Sequence, residues 1–125
     1  MVEKTSRLPG FYKLSLEERL KIVSEFAGLT EEEASLLKKE GNLPLEIADR
    51  MIENVIGTMA YPFAVAVNFL INGRDYLVPM VLEEPSVVAA ASHAAKLIRE
   101  SGGIKTTSTG PVMIGQVQVV GLKDP

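Results

Sequence analysis

Two acidic segments and a single histidine are the features of this 125-residue chain whose type and spacing could do chemistry. In Glu83-Glu84-Pro85-Ser86, two adjacent carboxylates follow an apolar run and precede an Ala-rich one. If the first run is a strand, alternation sends the two carboxylates to opposite faces, so only one faces a given pocket. If the second is a helix, its N-terminus offers free N–H groups and positive potential to an anionic or carbonyl ligand. A carboxyl partly buried there can be held protonated by desolvation and serve as a general acid, although the helix dipole pushes the other way. The same residues also read as a capping carboxylate beside a solvated one. Spacing alone favours that plainer reading, because acidic residues before helices are common.

The second acidic segment, Glu53-Asn54-Val55-Ile56-Gly57, brackets two β-branched residues with polar ones. It fits a helix C-terminus, since Asn54 tolerates a left-handed backbone and Gly57 suits a turn. His93 lies seven residues after Ser86, on the same helical face two turns on, and a lone histidine without a second His or Cys argues for a structural role and against a transition-metal site. Glu17, Glu18, Glu31, Glu32 and Glu33 fall in the first turns of two helices, where they complement the dipole and face solvent. The chain has no GxGxxG and no P-loop, so no nucleotide phosphate cradle is visible, and no Ser-His-Asp arrangement can be argued.

The elements that must position these groups are legible in outline. Ser15 with Glu18, and Thr30 with Glu33, are capping-box pairs that start helices. Behind the first, Leu16, Leu20, Val23 and Ala27 recur at helical spacing, with Ile22 and Phe26 widening the stripe and Gly28 closing it. Gly41 suits the stop of the second helix. Pro44 opens a third, which offers Leu45, Ile47, Ala48, Met51 and Ile52 for burial. Residues 63–71 and 75–82 flank Asn72-Gly73, whose tolerance of positive φ predicts a type I′ hairpin. Pro79 cannot donate to a ladder and puts the second strand at an edge or near a bulge. A helix is expected from Pro85, at a first-turn position, to about Arg99, its alanines allowing close packing, with Gly102-Gly103 ending it. Residues 104–111 read as a linker and 116–122 as a strand. A lone terminal strand needs partners for its backbone and apolar face, so the chain reads as truncated at the start of a second unit.

Length allows one modest core. With 46% hydrophobic and 23% charged residues, composition is ordinary for a globular protein. A net charge of −3 without a basic stripe excludes nucleic acid as the main partner. The absence of Cys excludes disulfides and thiolate metal sites. The longest apolar stretch, residues 61–71, is too short to cross a bilayer, and the first seven residues lack the apolar core of a signal peptide, so no membrane partner and a cytoplasmic location are expected.

Four segments together resemble the class II branch of hydroxymethylglutaryl-CoA reductases: SRLPGF (6–11), IENVIGT (52–58), NGRDYLVPMVLEEPSVVAAAS (72–92) and GQVQVVGLKDP (115–125). They occur in order across essentially the whole chain. Glu-Glu-Pro stands where class I enzymes carry Thr-Glu-Gly. The resemblance implies an α+β fold: N-terminal helices, a β-hairpin and an Ala-rich helix as part of the large, substrate-binding domain (1–108), then the first strand of a small nicotinamide-binding domain (109–125). It implies a reaction that interconverts hydroxymethylglutaryl-CoA with mevalonate and CoA in two hydride steps, using NAD or NADP, in isoprenoid precursor synthesis or mevalonate breakdown. It makes Glu84 the catalytic proton donor and acceptor and Ser86 a substrate-binding residue, leaves Glu83 without a catalytic role, and implies a homodimer or higher homo-oligomer. The family's Lys, Asp and C-terminal His belong to motifs beyond Pro125, and neither Lys96 nor His93 takes their roles. Tyr12-Lys13 stands where some relatives have an Arg that contacts CoA. The expectation is an N-terminal portion of an oxidoreductase, inactive alone. The alternative is a naturally short, non-catalytic binding or dimerisation module from the same family.

Overall fold

Local hydrogen-bond chemistry starts the first two helices of the computed structural model, which describes residues 4–39, 43–121 and 123. After a short 3-10 turn at Phe11–Lys13, helix α1 spans Leu16–Ala27, α2 Glu31–Leu36 and α3 Leu45–Met51. Both expected capping boxes form. The Ser15 hydroxyl accepts from the Glu18 amide at 3.2 Å while the Glu18 carboxylate accepts from the Ser15 amide at 2.8 Å, and Thr30 and Glu33 do the same. Each box satisfies two backbone donors that a helix start otherwise leaves open. These bonds hold both Glu18 and Glu33 below the usual carboxylate range, the backbone bond contributing most. Gly28 ends α1 at φ 73°, as expected of a glycine stop.

Two expectations for this half are corrected. Helix α2 ends at Leu36, well before Gly41, which itself lies outside the described residues. Of the apolar residues that α3 offers, only Ala48 is buried; Leu45, Ile47, Met51 and Ile52 are exposed. A seven-residue helix presents two turns, and nothing among the described residues covers its wider apolar face.

The second half is organised by tertiary contact. Strands β1 (Phe63–Ile71) and β2 (Arg74–Val81) form an antiparallel hairpin, and helix α4 (Val87–Glu100) packs on β1. Asn72 and Gly73 take φ of 49° and 77° in the turn, as the Asn-Gly signature requires. Pro79 sits opposite Val65 in a two-stranded sheet, where its missing donor costs no second ladder.

The register slips between Ala66 and Phe69, so Val67 and Asn68 together oppose Leu77. Asn68 takes φ 73° at this bulge, a conformation Asn tolerates better than β-branched residues. The bulge is pinned from α4: the Val67 amide donates to the Ser92 hydroxyl (3.1 Å), and the Asn68 side-chain amide donates to the Ser92 carbonyl (3.1 Å). The buried core lies here, in Ala66, Val67 and Ala95, the last 4% exposed. Small side chains let the helix backbone approach the strand closely.

Beyond α4 the chain turns back beside β1. The Ile104 amide donates to the Leu70 carbonyl (2.8 Å), and the Asn72 amide donates to the Ile104 carbonyl (2.9 Å). Gly103 makes this return possible. At φ +84°, an added Cβ would lie 2.5 Å from the Leu70 carbonyl oxygen. The strand expected from residue 116 is absent: residues 112–121 form no ladder, and Val117 is 91% exposed. Alternating apolar residues make a strand only where a neighbouring strand accepts their backbone groups, and the described residues put none beside this segment.

Candidate active-site segment and the clamp beside it

Strand β2 ends at Val81 and α4 starts at Val87, so residues 82–86 carry the acidic pair across the corner between them. The connection is tethered by a long bond from the Leu82 amide to the Pro62 carbonyl (3.4 Å). Glu83 and Glu84 are both exposed, where partial burial is the expectation for a general acid. Pro85 stands outside the helix rather than in its first turn, because Ser86 is the N-cap.

The start of α4 differs from the starts of α1 and α2. Ser86 takes φ 75°, in the left-handed region, and its side chain makes no capping bond. The first helical bond is from the Ala90 amide to the Ser86 carbonyl (2.8 Å). The capping-carboxylate reading favoured by spacing therefore has no capping bond behind it: among the described residues, no side chain caps the N–H groups that open this helix. The start of α4 belongs to a broad cleft whose lining includes Glu83, Glu84 and Ser86 together with residues 7–12. His93 and Lys96, farther along α4, also line it, as do Val55 and Gly57 of the second acidic segment; Glu53 and Asn54 do not. Asn54 adopts the left-handed conformation expected of it, at φ 60°. The arrangement can present one carboxylate, one hydroxyl and free backbone donors to a carbonyl- or carboxylate-bearing ligand.

A polar cluster that sequence reasoning missed lies beside this cleft. Ser6 is fully buried (0% exposed). Its amide donates to Asp75 Oδ1 (2.8 Å), and its hydroxyl lies 2.6 Å from the same oxygen and 2.9 Å from the Phe69 carbonyl. Its carbonyl accepts from the Asn68 amide (2.9 Å). Arg99, at the end of α4, closes the cluster with Nη1 to Asp75 Oδ1 at 2.7 Å and Nη2 to Oδ2 at 3.3 Å. The Arg99 guanidinium, helped by the Ser6 hydroxyl and amide, holds the Asp75 carboxyl at about 2, against desolvation that pushes it up. Side chains about one-fifth exposed and paired in fork geometry make a stronger bond than an open surface pair. Ser6 and Asp75 are 69 residues apart, and no local pattern could have joined them; only their presence in the quoted segments 6–11 and 72–92 marks them at all.

Residues 109–121, expected to open a nicotinamide-binding unit, are irregular and exposed and build no phosphate cradle. No group of three metal-ligating side chains occurs among the described residues, and no helix among them is long and apolar enough to cross a membrane.

Comparisons with known proteins agree on one family. The profile of hydroxymethylglutaryl-coenzyme A reductase matches residues 15–125. A 3-hydroxy-3-methylglutaryl-coenzyme A reductase from Archaeoglobus fulgidus is 64% identical over 121 residues, covering 97% of this chain and 28% of its own. Among solved structures, 3-hydroxy-3-methylglutaryl-coenzyme A reductase from Streptococcus pneumoniae superposes with a TM-score of 0.70 at 43% identity, over 78% of this chain and 23% of that one. A class II reductase structure from the same organism, bound to NADPH in open conformations, matches equally well, over 26% of its length. The chain thus spans about a quarter of the length of these relatives.

Proposed function

The chain belongs to the hydroxymethylglutaryl-CoA reductase family, and on that premise we propose that it is the N-terminal portion of a class II enzyme that interconverts hydroxymethylglutaryl-CoA with mevalonate and CoA. In this reading residues 1–108 belong to the substrate-binding large domain, and 109–125 begin the small nicotinamide-binding domain. The observation that carries it is the uncapped start of α4, with Glu84 and Ser86 beside it in one cleft. A helix start that keeps its donors free, next to an exposed carboxylate, suits a ligand bearing a carbonyl that becomes a hydroxyl.

Glu84 is the proton donor and acceptor at the substrate oxygen. It is exposed at the corner between β2 and α4, open to an incoming substrate. Ser86, freed from capping, donates a hydrogen bond to the hydroxymethylglutaryl moiety. Glu83 stays a solvated neighbour. NAD or NADP supplies the hydride when bound, through residues other than those described. Homo-oligomers and a cytoplasmic setting belong to the same reading.

The 125 residues alone are expected to be inactive, because groups that act as a unit retain little rate when partners are missing. The test is a nicotinamide-coupled assay of the complete protein and of its Glu84→Gln variant. Turnover should fall about 100-fold or more in the variant, in line with losing a general acid, while substrate binding persists. Unchanged turnover removes Glu84 from the mechanism. Rapid turnover by the 125-residue chain alone removes the inactive-portion reading.

A second reading, a short binding or dimerisation module, draws support from the many exposed apolar side chains, Ile56 (101%) and Val117 among them. A reading frame that ends after Pro125 favours it; one that continues into further strands excludes it.

A further inference from the structure

Residues 7–12 line the same cleft as Glu84 and Ser86, yet they belong to no helix or strand that packs on the core; a 3-10 turn is all they form. What fixes them is Ser6. Every polar group of this fully buried residue is spent on the hairpin or on α4: amide and hydroxyl on Asp75, carbonyl on the Asn68 amide at the bulge. Arg99 Nη1 also reaches the Ser6 hydroxyl and the Asn68 carbonyl, each at 3.4 Å. The same bulge is tied to the middle of α4 through Ser92.

One bulge thus receives the N-terminal segment on one side and α4 on the other. The two walls of the cleft are referenced to a common point, and Asp75 is the group that touches both. We propose that Ser6, Asp75 and Arg99 form a positioning clamp that sets residues 7–12 against the Glu84–Ser86 wall, so that acyl-CoA substrate is gripped between them.

This rests on the reductase reading above. None of the three is a catalytic residue, because none lies at the reacting atoms. Loss of the clamp should therefore weaken substrate binding and leave the chemical step, governed by Glu84, nearly intact.

The experiment compares Ser6→Ala and Asp75→Asn in the complete protein by two measurements. Steady-state kinetics should show KM for hydroxymethylglutaryl-CoA rising about 10-fold with kcat changed less than about 2-fold, the size expected from losing a charge-assisted hydrogen bond. Hydrogen exchange by mass spectrometry should show residues 5–12 exchanging faster while 63–81 keep their protection. Ser6→Ala guards against the chance that Asp75→Asn unfolds the protein, since it leaves the ion pair in place. Faster exchange with an unmoved KM overturns the proposal, as does parallel loss of kcat and of hairpin protection. An absence of turnover in the unsubstituted protein sinks the reductase reading instead. Turnover with an unmoved KM sinks the clamp alone.

Discussion

Helices α1 and α2 on one hand, and the β1–β2–α4 unit on the other, are stabilised at different levels. The first two begin with complete capping boxes and keep apolar residues such as Leu16, Leu36 and Leu37 exposed. Helix α4 begins with a left-handed Ser86 and no capping bond, yet it holds the buried core with β1. Local bonds start α1 and α2, whereas α4 starts without one and is held by its packing on β1. The open start is where the candidate catalytic segment lies. The difference teaches that a helix end freed for a ligand must be held by the rest of its length.

Substitutions can break this contrast, and the largest effect falls on the packed unit. Gly103→Ala puts a methyl group against the Leu70 carbonyl at a strained backbone angle, and should destabilise the protein by about 3 kcal/mol, read as a lowered urea midpoint. An unchanged midpoint would mean that the return beside β1 is loose. Acid should act next, also on this unit. The folded-state value of Asp75 lies below its ordinary 3.8, so its contribution is complete above that value and is lost as pH falls from about 4 towards 2. About 1 kcal/mol should disappear in this window, and Asp75→Asn should lose correspondingly less between pH 6 and pH 2.5 in the same titration.

Ser15→Ala removes a capping bond and should cost about 1 kcal/mol by thermal melting. Ser86→Ala, at a helix start without such a bond, should cost only a few tenths, while weakening hydroxymethylglutaryl-CoA binding in the complete protein. Equal melting losses at Ser15 and Ser86 would erase the distinction between the two helix starts. Smallest and opposite in sign, Ser86→Gly should leave stability unchanged or raise it by about 0.5 kcal/mol, because glycine adopts φ 75° without strain.

What the sequence revealed follows the same division. The Ser15–Glu18 and Thr30–Glu33 boxes, the Gly28 stop and the Asn72-Gly73 turn depend on neighbours within a few residues, and each is found as read. The bulge at Asn68 needs Ser6 and Ser92 brought together from far along the chain, and no spacing rule encodes that. The acidic pair looked like a cap because carboxylates often precede helices; the left-handed backbone of Ser86 is invisible in residue type. Residues 116–121 of the expected strand find no strand to pair with among the described residues, and residue 122 lies outside them; α3 likewise has apolar residues that no described surface covers. The functional importance of Glu84 came from the resemblance of whole segments, since spacing alone favoured an inert carboxylate.

The edge of β1 facing away from β2 is occupied twice, by the Ser6 carbonyl at Asn68 and by Ile104 at Leu70 and Asn72. An open strand edge is a template for pairing with other chains, and the segments entering and leaving this unit cover it from Asn68 to Asn72. The remaining edge, on β2, is interrupted by Pro79, which cannot donate to an added strand. The path of the chain thus closes this part of the edge to an added strand, and a substitution that loosens Ser6 or Gly103 would reopen it.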